Sequence, residues 1–268
     1  MSEKKDMSFL EHLEELRMRL VRAVAGVLVG IIIVFAFDDF VIEEIIMAPR
    51  RLDFISYRMW CKLSHFLSLG DTLCFKEMNF SLQSTTMGGN FSAYLLVNII
   101  GGIILAFPWI IYQLWSFIKP GLNAKEIKSV RGIVFYISML FFTGVLFGYY
   151  ILCPLSINFL GNFQFSDVPV AATVLSYLKL NTSLLLGTGL IFQLPVLMYF
   201  LAQLGLITSA LLRKYRKHAF VVNLIAAAII TPPDVTSQML VALPILALYE
   251  ISIKVVAKVE KRKALLGN

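Results

Sequence analysis

The sequence of 268 residues is 58% hydrophobic and 15% charged, with a mean hydropathy of +0.78. A soluble domain has about a quarter of its residues charged, so this composition excludes an ordinary soluble protein and predicts a bilayer as the solvent. The net charge of +7 comes from basic residues spread over short segments between apolar blocks, which argues against a nucleic-acid-binding stripe. A single membrane domain across 1–268 is expected.

The N-terminal segment is predicted to lie on the membrane surface before the chain enters the bilayer. Phe9, Leu13, Leu16 and Leu20 recur at helical spacing, which predicts an amphipathic helix over 8–20. The apolar block that follows ends without a small-residue cleavage site. It is therefore expected to remain as the first span rather than to be removed as a signal peptide.

A long polar loop over 38–90 follows the first span and contains Cys61 and Cys74, whereas Cys153 lies in an apolar block. If the loop is periplasmic, the oxidising compartment favours a disulfide between Cys61 and Cys74, and two free thiols are the open alternative. The cysteines and histidines show no spacing that predicts a metal site.

Six apolar blocks are predicted to be transmembrane helices. The last two, 220–231 and 239–253, are only about 12 and 15 residues long, or roughly 18 and 22 Å as helices, against a hydrocarbon core of about 30 Å. Both are predicted to be short helices, and the loop 232–238 between them predicts a tight hairpin. The alternative is that residues 215–219 and 254–257 extend the two helices, with their basic side chains reaching the membrane interface. The six spans are expected at approximately 20–40, 91–118, 132–160, 184–204, 219–231 and 238–254.

The distribution of Lys and Arg predicts the orientation of the spans. The N-terminal segment, the loops 119–131 and 205–218 and the C-terminal tail are basic, and they alternate with the loops 161–173 and 232–238, which contain neither residue. The positive-inside rule then places both termini in the cytoplasm. The basic residues of the long 38–90 loop count little in that rule.

Ionisable residues are rare within the predicted spans, which argues against a proton relay. Gln193 is the notable polar side chain at the middle of a span, where an unpartnered amide would cost on the order of a few kcal/mol. One interpretation is that Gln193 binds a partner protein. The alternative is that it bonds another helix or a carbonyl freed by Pro195.

Glu15 and Glu126 lie on the predicted cytoplasmic face, amid basic segments. Spacing alone favours structural roles, since Glu15 stands four residues before Arg19, as in a helical ion pair, and Glu126 three residues after Asn123, as in a helix cap. Their location on the same membrane face instead favours a site that binds a cationic ligand. The sequence is consistent with both interpretations.

The other candidates have ordinary explanations. Asp234 is spaced to cap the last helix, and Phe117 suits an aromatic belt at the membrane interface. No arrangement of serine, cysteine and histidine in the sequence predicts a catalytic site.

Three motifs in sequence resemble signatures of the TatC family, the receptor of the twin-arginine protein translocase. The segment FLEHLEELRMRL at 9–20 resembles the N-terminal signature of the family. The segment PWIIYQLWSFIKPGL at 108–122 resembles the end of its second span. The segment TPPDVTSQ at 231–238 resembles the last periplasmic turn of the family. The chain is identified as a member of this family over nearly its whole length, apart from the 38–90 loop.

The resemblance implies an all-α membrane protein with six transmembrane helices in a concave arrangement, in the bacterial inner membrane. It implies a receptor that binds twin-arginine signal peptides of folded proteins at its cytoplasmic face. It also implies a homo-oligomeric complex with single-span TatA- and TatB-type partners, driven by the proton-motive force. Neither a cofactor nor nucleic acid is expected, and the chain is not expected to be an enzyme.

The resemblance also implies roles for individual residues. Its signal-peptide site comprises Glu15, Glu126, Arg17, Arg19 and Phe117. Its periplasmic turn contains Asp234 and Gln238. Gln193 stands where many members of the family have a glutamate, and an amide cannot ionise as a carboxylate does.

Two other classes of membrane protein are the alternatives. A small-solute transporter would show inverted repeats and broken spans with polar linings, and this sequence has prolines in four of its predicted spans but no visible repeat. An intramembrane enzyme would need catalytic residues that the sequence does not show. Co-purification with twin-arginine precursors would separate these alternatives from a receptor.

Overall fold

The structure is a computed structural model that describes residues 9–66, 70, 74, 81–121, 132–162, 171–230 and 235–265. Most of these residues are helical. Within this part of the chain, four helices are long and apolar enough to cross a membrane: Leu10–Ala36, Gly89–Ile118, Ile133–Asn162 and Val174–Gln203. The prediction of a helical, multi-pass membrane protein is confirmed to that extent.

The elements of the first half of the chain are α1 (Phe9–Ala36), a π-helix (Phe40–Ile46), a 3-10 turn (Ala48–Arg50), α2 (Ile55–Phe66), β1 (Ser81–Gln83), α3 (Gly89–Ile118) and a 3-10 turn (Lys119–Gly121). Those of the second half are α4 (Ile133–Phe147), a π-helix (Gly148–Leu152), α5 (Cys153–Asn162), β2 (Ala171–Thr173), α6 (Val174–Ile191), α7 (Leu194–Gln203), α8 (Ser209–Lys214), α9 (Arg216–Ile230) and α10 (Val235–Leu265). Two compact units divide the chain: the first comprises Met1–Asp38 and Asn98–Met139, and the second comprises Asp39–Val97 and Leu140–Asn268.

In the first unit, α1 crosses the second half of α3 through glycines. A Cβ atom added to Gly30 would lie 2.5 Å from the carbonyl oxygen of Gly102, and one added to Gly102 would lie 2.6 Å from the backbone nitrogen of Ile31. Backbone therefore meets backbone at this crossing, an approach that small residues permit. Val34 packs beside Gly101 in the next turn and is buried.

Trp109 makes a second contact between the same two helices. Its indole N–H donates to the carbonyl of Arg22 at 2.9 Å. The indole ring covers Gly26, where an added Cβ atom would overlap it. This bond and this contact set the position of α1 along α3 on the side toward Glu15.

In the second unit, tyrosine hydroxyls hold the irregular segment that precedes α2. Tyr57 donates to the carbonyl of Pro49 at 2.7 Å, while Tyr149 and Tyr177 donate to carbonyls of the π-helix Phe40–Ile46 at 2.8 and 3.0 Å. Irregular backbone leaves carbonyls that need such donors. Burial raises the pKa of Tyr57 above its ordinary value, so its hydroxyl remains a donor.

The core of the second unit is formed mainly by apolar side chains of α3, α5, α6 and α10. Leu152, Leu184 and Val241 are buried there almost completely. Glycines also permit close packing of α4 on α6, since a Cβ atom on Gly144 would lie 2.6 Å from the carbonyl oxygen of Thr188. The first half of α3 joins this core through Val97.

The fourth apolar helix starts earlier than the predicted span 184–204, because α6 begins at Val174. Thr173 caps its first turn by accepting a backbone N–H through its hydroxyl. Asn181 and Thr182 donate to carbonyls one turn earlier at 2.9 and 2.7 Å. Their polar groups are thus satisfied inside the helix, so the helix can begin before its continuously apolar part.

The final helix is longer than predicted. The last apolar block ends near Ile253, but α10 continues to Leu265 and has 31 residues, about 46 Å of helix. The prediction of a short final helix is therefore wrong, because charged turns extend the helix beyond its apolar part. The preceding helix, α9, has 15 residues.

Ionic and polar contacts anchor the charged extension of α10. Lys263 donates through Nζ to the carbonyls of Ala202 and Gln203, at the C-terminal end of α7, at 3.2 and 2.6 Å. The carboxylate of Glu260 accepts the backbone N–H of Ser209, at the start of α8, at 2.9 Å. A cation at one helix C-terminus and an anion at a helix N-terminus both complement the helix dipoles.

A small sheet departs from the all-α prediction. Strands β1 and β2 pair in parallel, with Ser81 opposite Ala171 and Gln83 opposite Thr173. Each strand has three residues. Strands this short, with a partner distant in the sequence, leave no alternating pattern that identifies them.

We predict that Gly30→Ala destabilises the protein by about 1 to 3 kcal/mol, because the new methyl group must force α1 away from the backbone of α3. Thermal unfolding of the detergent-solubilised protein measures the effect. Gly88→Ala is the matched control, since an added Cβ atom there has no atom within 4 Å. Equal melting temperatures for the two variants would contradict the close crossing.

Candidate functional site

The candidate site lies in the first unit, where the N-terminal part of α1 runs beside the end of α3. Arg19 donates from Nη2 to Oε1 of Glu15 at 3.3 Å, and the side chains of the two residues are 25% and 22% exposed. The same guanidinium donates from Nη1 to Oε1 of Gln113 on α3 at 3.5 Å. Arg19 therefore bridges two acceptors that belong to different helices.

An aromatic contact lies on the same two helices. The rings of His12 and Phe117 are stacked, with centroids 4.5 Å apart and an interplanar angle of 20°. His12, Glu15 and Arg19 are spaced at i, i+3 and i+7, which places them along one face of α1. Phe117 therefore contacts α1 at His12, about one helical turn before Glu15.

His12 and Gln113 are not among the site residues that the sequence predicts. The helical spacing of His12 relative to Glu15 was available as a signal. Gln113 is 3% exposed. It lies within the motif at 108–122, but its role depends on how α1 and α3 cross.

The other predicted signal-peptide residues are placed differently. Arg17 is exposed on α1. Glu126 lies within 122–131, outside the described residues. The arrangement that the structure describes therefore comprises Glu15, Arg19 and Phe117 of the predicted set, together with His12 and Gln113.

Gln193 lies at the junction between α6 and α7 and is half-buried. Its backbone N–H bonds the carbonyl of Leu190 at 3.0 Å, and its side-chain Nε2 donates to the carbonyl of Gly189 at 3.3 Å. Pro195, in the first turn of α7, suits such a new helix start. The donor end of the amide thus bonds a backbone carbonyl at the break, as in the structural alternative.

Gln238 connects the last two helices. Its Nε2 donates to the carbonyl of Leu224 on α9 at 3.2 Å. Asp234, which the sequence predicted to cap α10, lies outside the described residues. A contact between α9 and α10 is therefore the local role of Gln238.

Cys61 on α2 and Cys74 form a disulfide with a Cα–Cα distance of 4.3 Å. His65 lies one turn after Cys61, and its Nε2 is 3.8 Å from Sγ of Cys74. Among the described residues, these three form a group whose side chains are close enough to hold a metal ion. Two sulfurs that are bonded to each other offer no thiolate ligands, so the group does not form a metal site in this state.

A family model described as Sec-independent protein translocase protein (TatC) matches residues 11–244 of the chain. The chain is 40% identical to the TatC protein of Blattabacterium sp. subsp. Periplaneta americana over 264 residues, covering 98% of this chain and 99% of that protein. It is 33% identical to TatCy of Bacillus subtilis over 259 residues, covering 96% of this chain and 91% of that protein. A crystal structure of a twin arginine translocase receptor, TatC, matches with a TM-score of 0.72 at 31% identity, covering 93% of this chain and 100% of that chain.

We predict that a thiol-reactive label modifies one of the three cysteines when the protein is unfolded without reductant, and all three after reduction. The expected single site is Cys153, which is buried and outside the disulfide. Intact-protein mass spectrometry counts the labels. In Cys153→Ser, the control, no label is expected before reduction, and labelling of Cys61 or Cys74 at that stage would contradict the disulfide.

Proposed function

The chain belongs to the TatC family of Sec-independent protein translocase proteins, and from that premise we propose that it is the receptor that binds twin-arginine signal peptides of folded proteins. It is a component of a protein translocase and not an enzyme. The observation that carries the proposal is the bridge from Arg19 to Glu15 and Gln113. A place that accommodates a guanidinium between two acceptors has the chemistry needed to bind an arginine.

The proposed mechanism of recognition is electrostatic. Glu15 offers a carboxylate beside the stacked rings of His12 and Phe117. Charge-assisted hydrogen bonds from a guanidinium to a carboxylate are about twice as strong as bonds between neutral groups. We propose that Glu126 supplies the second carboxylate, so that each arginine of the pair meets an acidic group, with Arg17 at the edge of the same site.

We further propose that α9 and α10 supply a fifth and a sixth span, in a concave receptor of the bacterial inner membrane with both termini in the cytoplasm. The bond from Gln238 to the carbonyl of Leu224 supports a paired arrangement of these helices. With 15 residues, α9 is about 22 Å long and would thin a bilayer whose core is about 30 Å. A thinner bilayer beside the receptor would lower the barrier to a crossing folded protein.

The proposed partners are single-span proteins of the TatA and TatB type, which would join a homo-oligomeric receptor complex that uses the proton-motive force. Gln193 is the proposed contact within the membrane. Its Nε2 bonds the carbonyl of Gly189, and an amide oxygen has two lone pairs that accept hydrogen bonds. A hydrogen bond between helices in lipid contributes about 0.6 to 2 kcal/mol, so a polar group of a partner helix that bonds this amide would favour assembly.

We predict that Glu15→Gln and Glu126→Gln together weaken the binding of a twin-arginine peptide, with each carboxylate contributing about 1.5 to 3 kcal/mol. The amide keeps the size of the side chain and removes its charge. Fluorescence anisotropy with a labelled peptide at low salt measures the affinity. Glu14→Gln is the matched control, because Glu14 is exposed on the same helix; unchanged affinity in the double variant would contradict the proposed site.

We predict that Gln193→Leu weakens assembly with the single-span partners more than it lowers the melting temperature. Native gels of co-expressed proteins measure assembly, and thermal unfolding measures stability. Gln203→Leu serves as the control, because Gln203 lies on α7 and its side chain bonds Tyr199 within the same helix. If Gln193→Leu lowers stability and leaves the complex intact, Gln193 has only its structural role at the helix break.

A further inference from the structure

Glu15 and Gln113 place two hydrogen-bond acceptors where one guanidinium group can reach both, and this pair of acceptors is called the seat below. The two acceptors stand on α1 and α3, and the two terminal nitrogens of Arg19 reach one each, at 3.3 and 3.5 Å. Gln113 is 3% exposed, so solvent competes little for its amide oxygen. The bond between Trp109 and the carbonyl of Arg22 keeps the two helices in this position.

We propose that Glu15 and Gln113 bind one arginine of the signal peptide, and that Arg19 occupies this seat until the peptide displaces it. This inference rests on the proposed function, because it takes a peptide with paired arginines as the ligand. It extends that function in two ways. Gln113 becomes a ligand-binding residue, and Arg19 becomes an internal competitor that stands in for the arginine of the peptide.

The chemistry of the seat selects arginine over lysine. A guanidinium is a planar fork that can donate in two directions at once, as Arg19 does here. An ammonium group is a point charge on a flexible stem and can replace the bond to Glu15 without also reaching Gln113. Discrimination between the two residues should therefore depend on Gln113, while attraction of any cation depends on Glu15.

Arg19 is held weakly enough to be displaced. Its two bonds are longer than the roughly 2.7 to 2.9 Å of a strong bond between an ammonium or guanidinium and a carboxylate. The pair with Glu15 spans one helical turn and is about a quarter exposed on each side, the kind of ion pair that contributes little. A ligand with two arginines, attracted also by other groups of the site, can compete with it.

The weak ion pair between Arg19 and Glu15 sets the factor by which Arg19 lowers the apparent affinity for the peptide. Partly exposed pairs of this kind correspond to an equilibrium constant of about 1.4 to 5 in favour of the paired state. A ligand that needs the unpaired state then binds more weakly by the fraction of unpaired molecules. Removal of Arg19 from the seat should therefore raise the apparent affinity by about two- to sixfold.

The test uses the full chain in lipid nanodiscs and two labelled peptides, one with paired arginines and one in which paired lysines replace them. Binding is measured by fluorescence anisotropy for the wild type, Arg19→Gln, Arg19→Lys and Gln113→Met. Arg22→Gln is the charge control, since Arg22 is exposed on the same helix and contacts Met18 instead of Glu15. Thermal unfolding verifies that each variant is folded.

Arg19→Gln is expected to bind the arginine peptide about two- to sixfold more tightly than Arg22→Gln does. Arg19→Lys, which keeps the charge and loses the fork, should bind it more tightly than the wild type by a smaller factor. Because methionine has nearly the size of glutamine and accepts no strong hydrogen bond, Gln113→Met should weaken binding of the arginine peptide and leave the lysine peptide nearly unchanged.

Weaker binding in both Arg19 variants, or a gain no larger than that of Arg22→Gln, would overturn the role of Arg19 as a competitor. An equal loss for both peptides in Gln113→Met would overturn the role of Gln113. These failures differ from failure of the proposed function. If the wild-type chain binds the arginine peptide no better than one with paired glutamines, the receptor function itself is wrong.

Discussion

The close crossing of α1 and α3 is the constraint on which the candidate site depends. At Gly30 and Gly102 the two backbones approach so closely that a methyl group would collide. Nearer to the site, Trp109 bonds the carbonyl of Arg22. A rigid crossing brings Glu15 and Gln113 within reach of one guanidinium, although they are far apart in sequence. Neither acceptor could be positioned so well by a loop, because a loop leaves more conformations open to each side chain.

Elsewhere the structure is governed by the need to satisfy backbone carbonyls where a helix becomes irregular. Tyr149 and Tyr177 donate to carbonyls of the π-helix Phe40–Ile46, and Gln193 donates to the carbonyl of Gly189 at the break before α7. Backbone carbonyls that a regular helix no longer pairs need other donors, and polar side chains supply them here. The polar residues of the apolar helices are thus explained in part by the irregularity of the backbone beside them.

The apolar blocks predict the long helices well, because a span must be continuous and apolar in order to cross the membrane. Their ends are predicted less well. The start of α6 at Val174 depends on a cap and on polar side chains that bond their own helix, and the extension of α10 depends on Glu260 and Lys263 meeting other helices. For the same reason the sequence identifies Glu15, whose motif is local, and does not identify Gln113, whose role requires the tertiary contact.

The family resemblance leads one to expect glutamate at position 193, but this chain has glutamine. The bond from Gln193 to the carbonyl of Gly189 gives a physical reason for the amide. The amide donates through Nε2 to a carbonyl oxygen. An ionised carboxylate has only acceptors, so it would face that carbonyl with like partial charge and could not make the bond. A protonated carboxyl group could donate, but only while it held its proton. Glutamine makes the donor permanent, so in this chain the packing at the break between α6 and α7 does not depend on the protonation of residue 193.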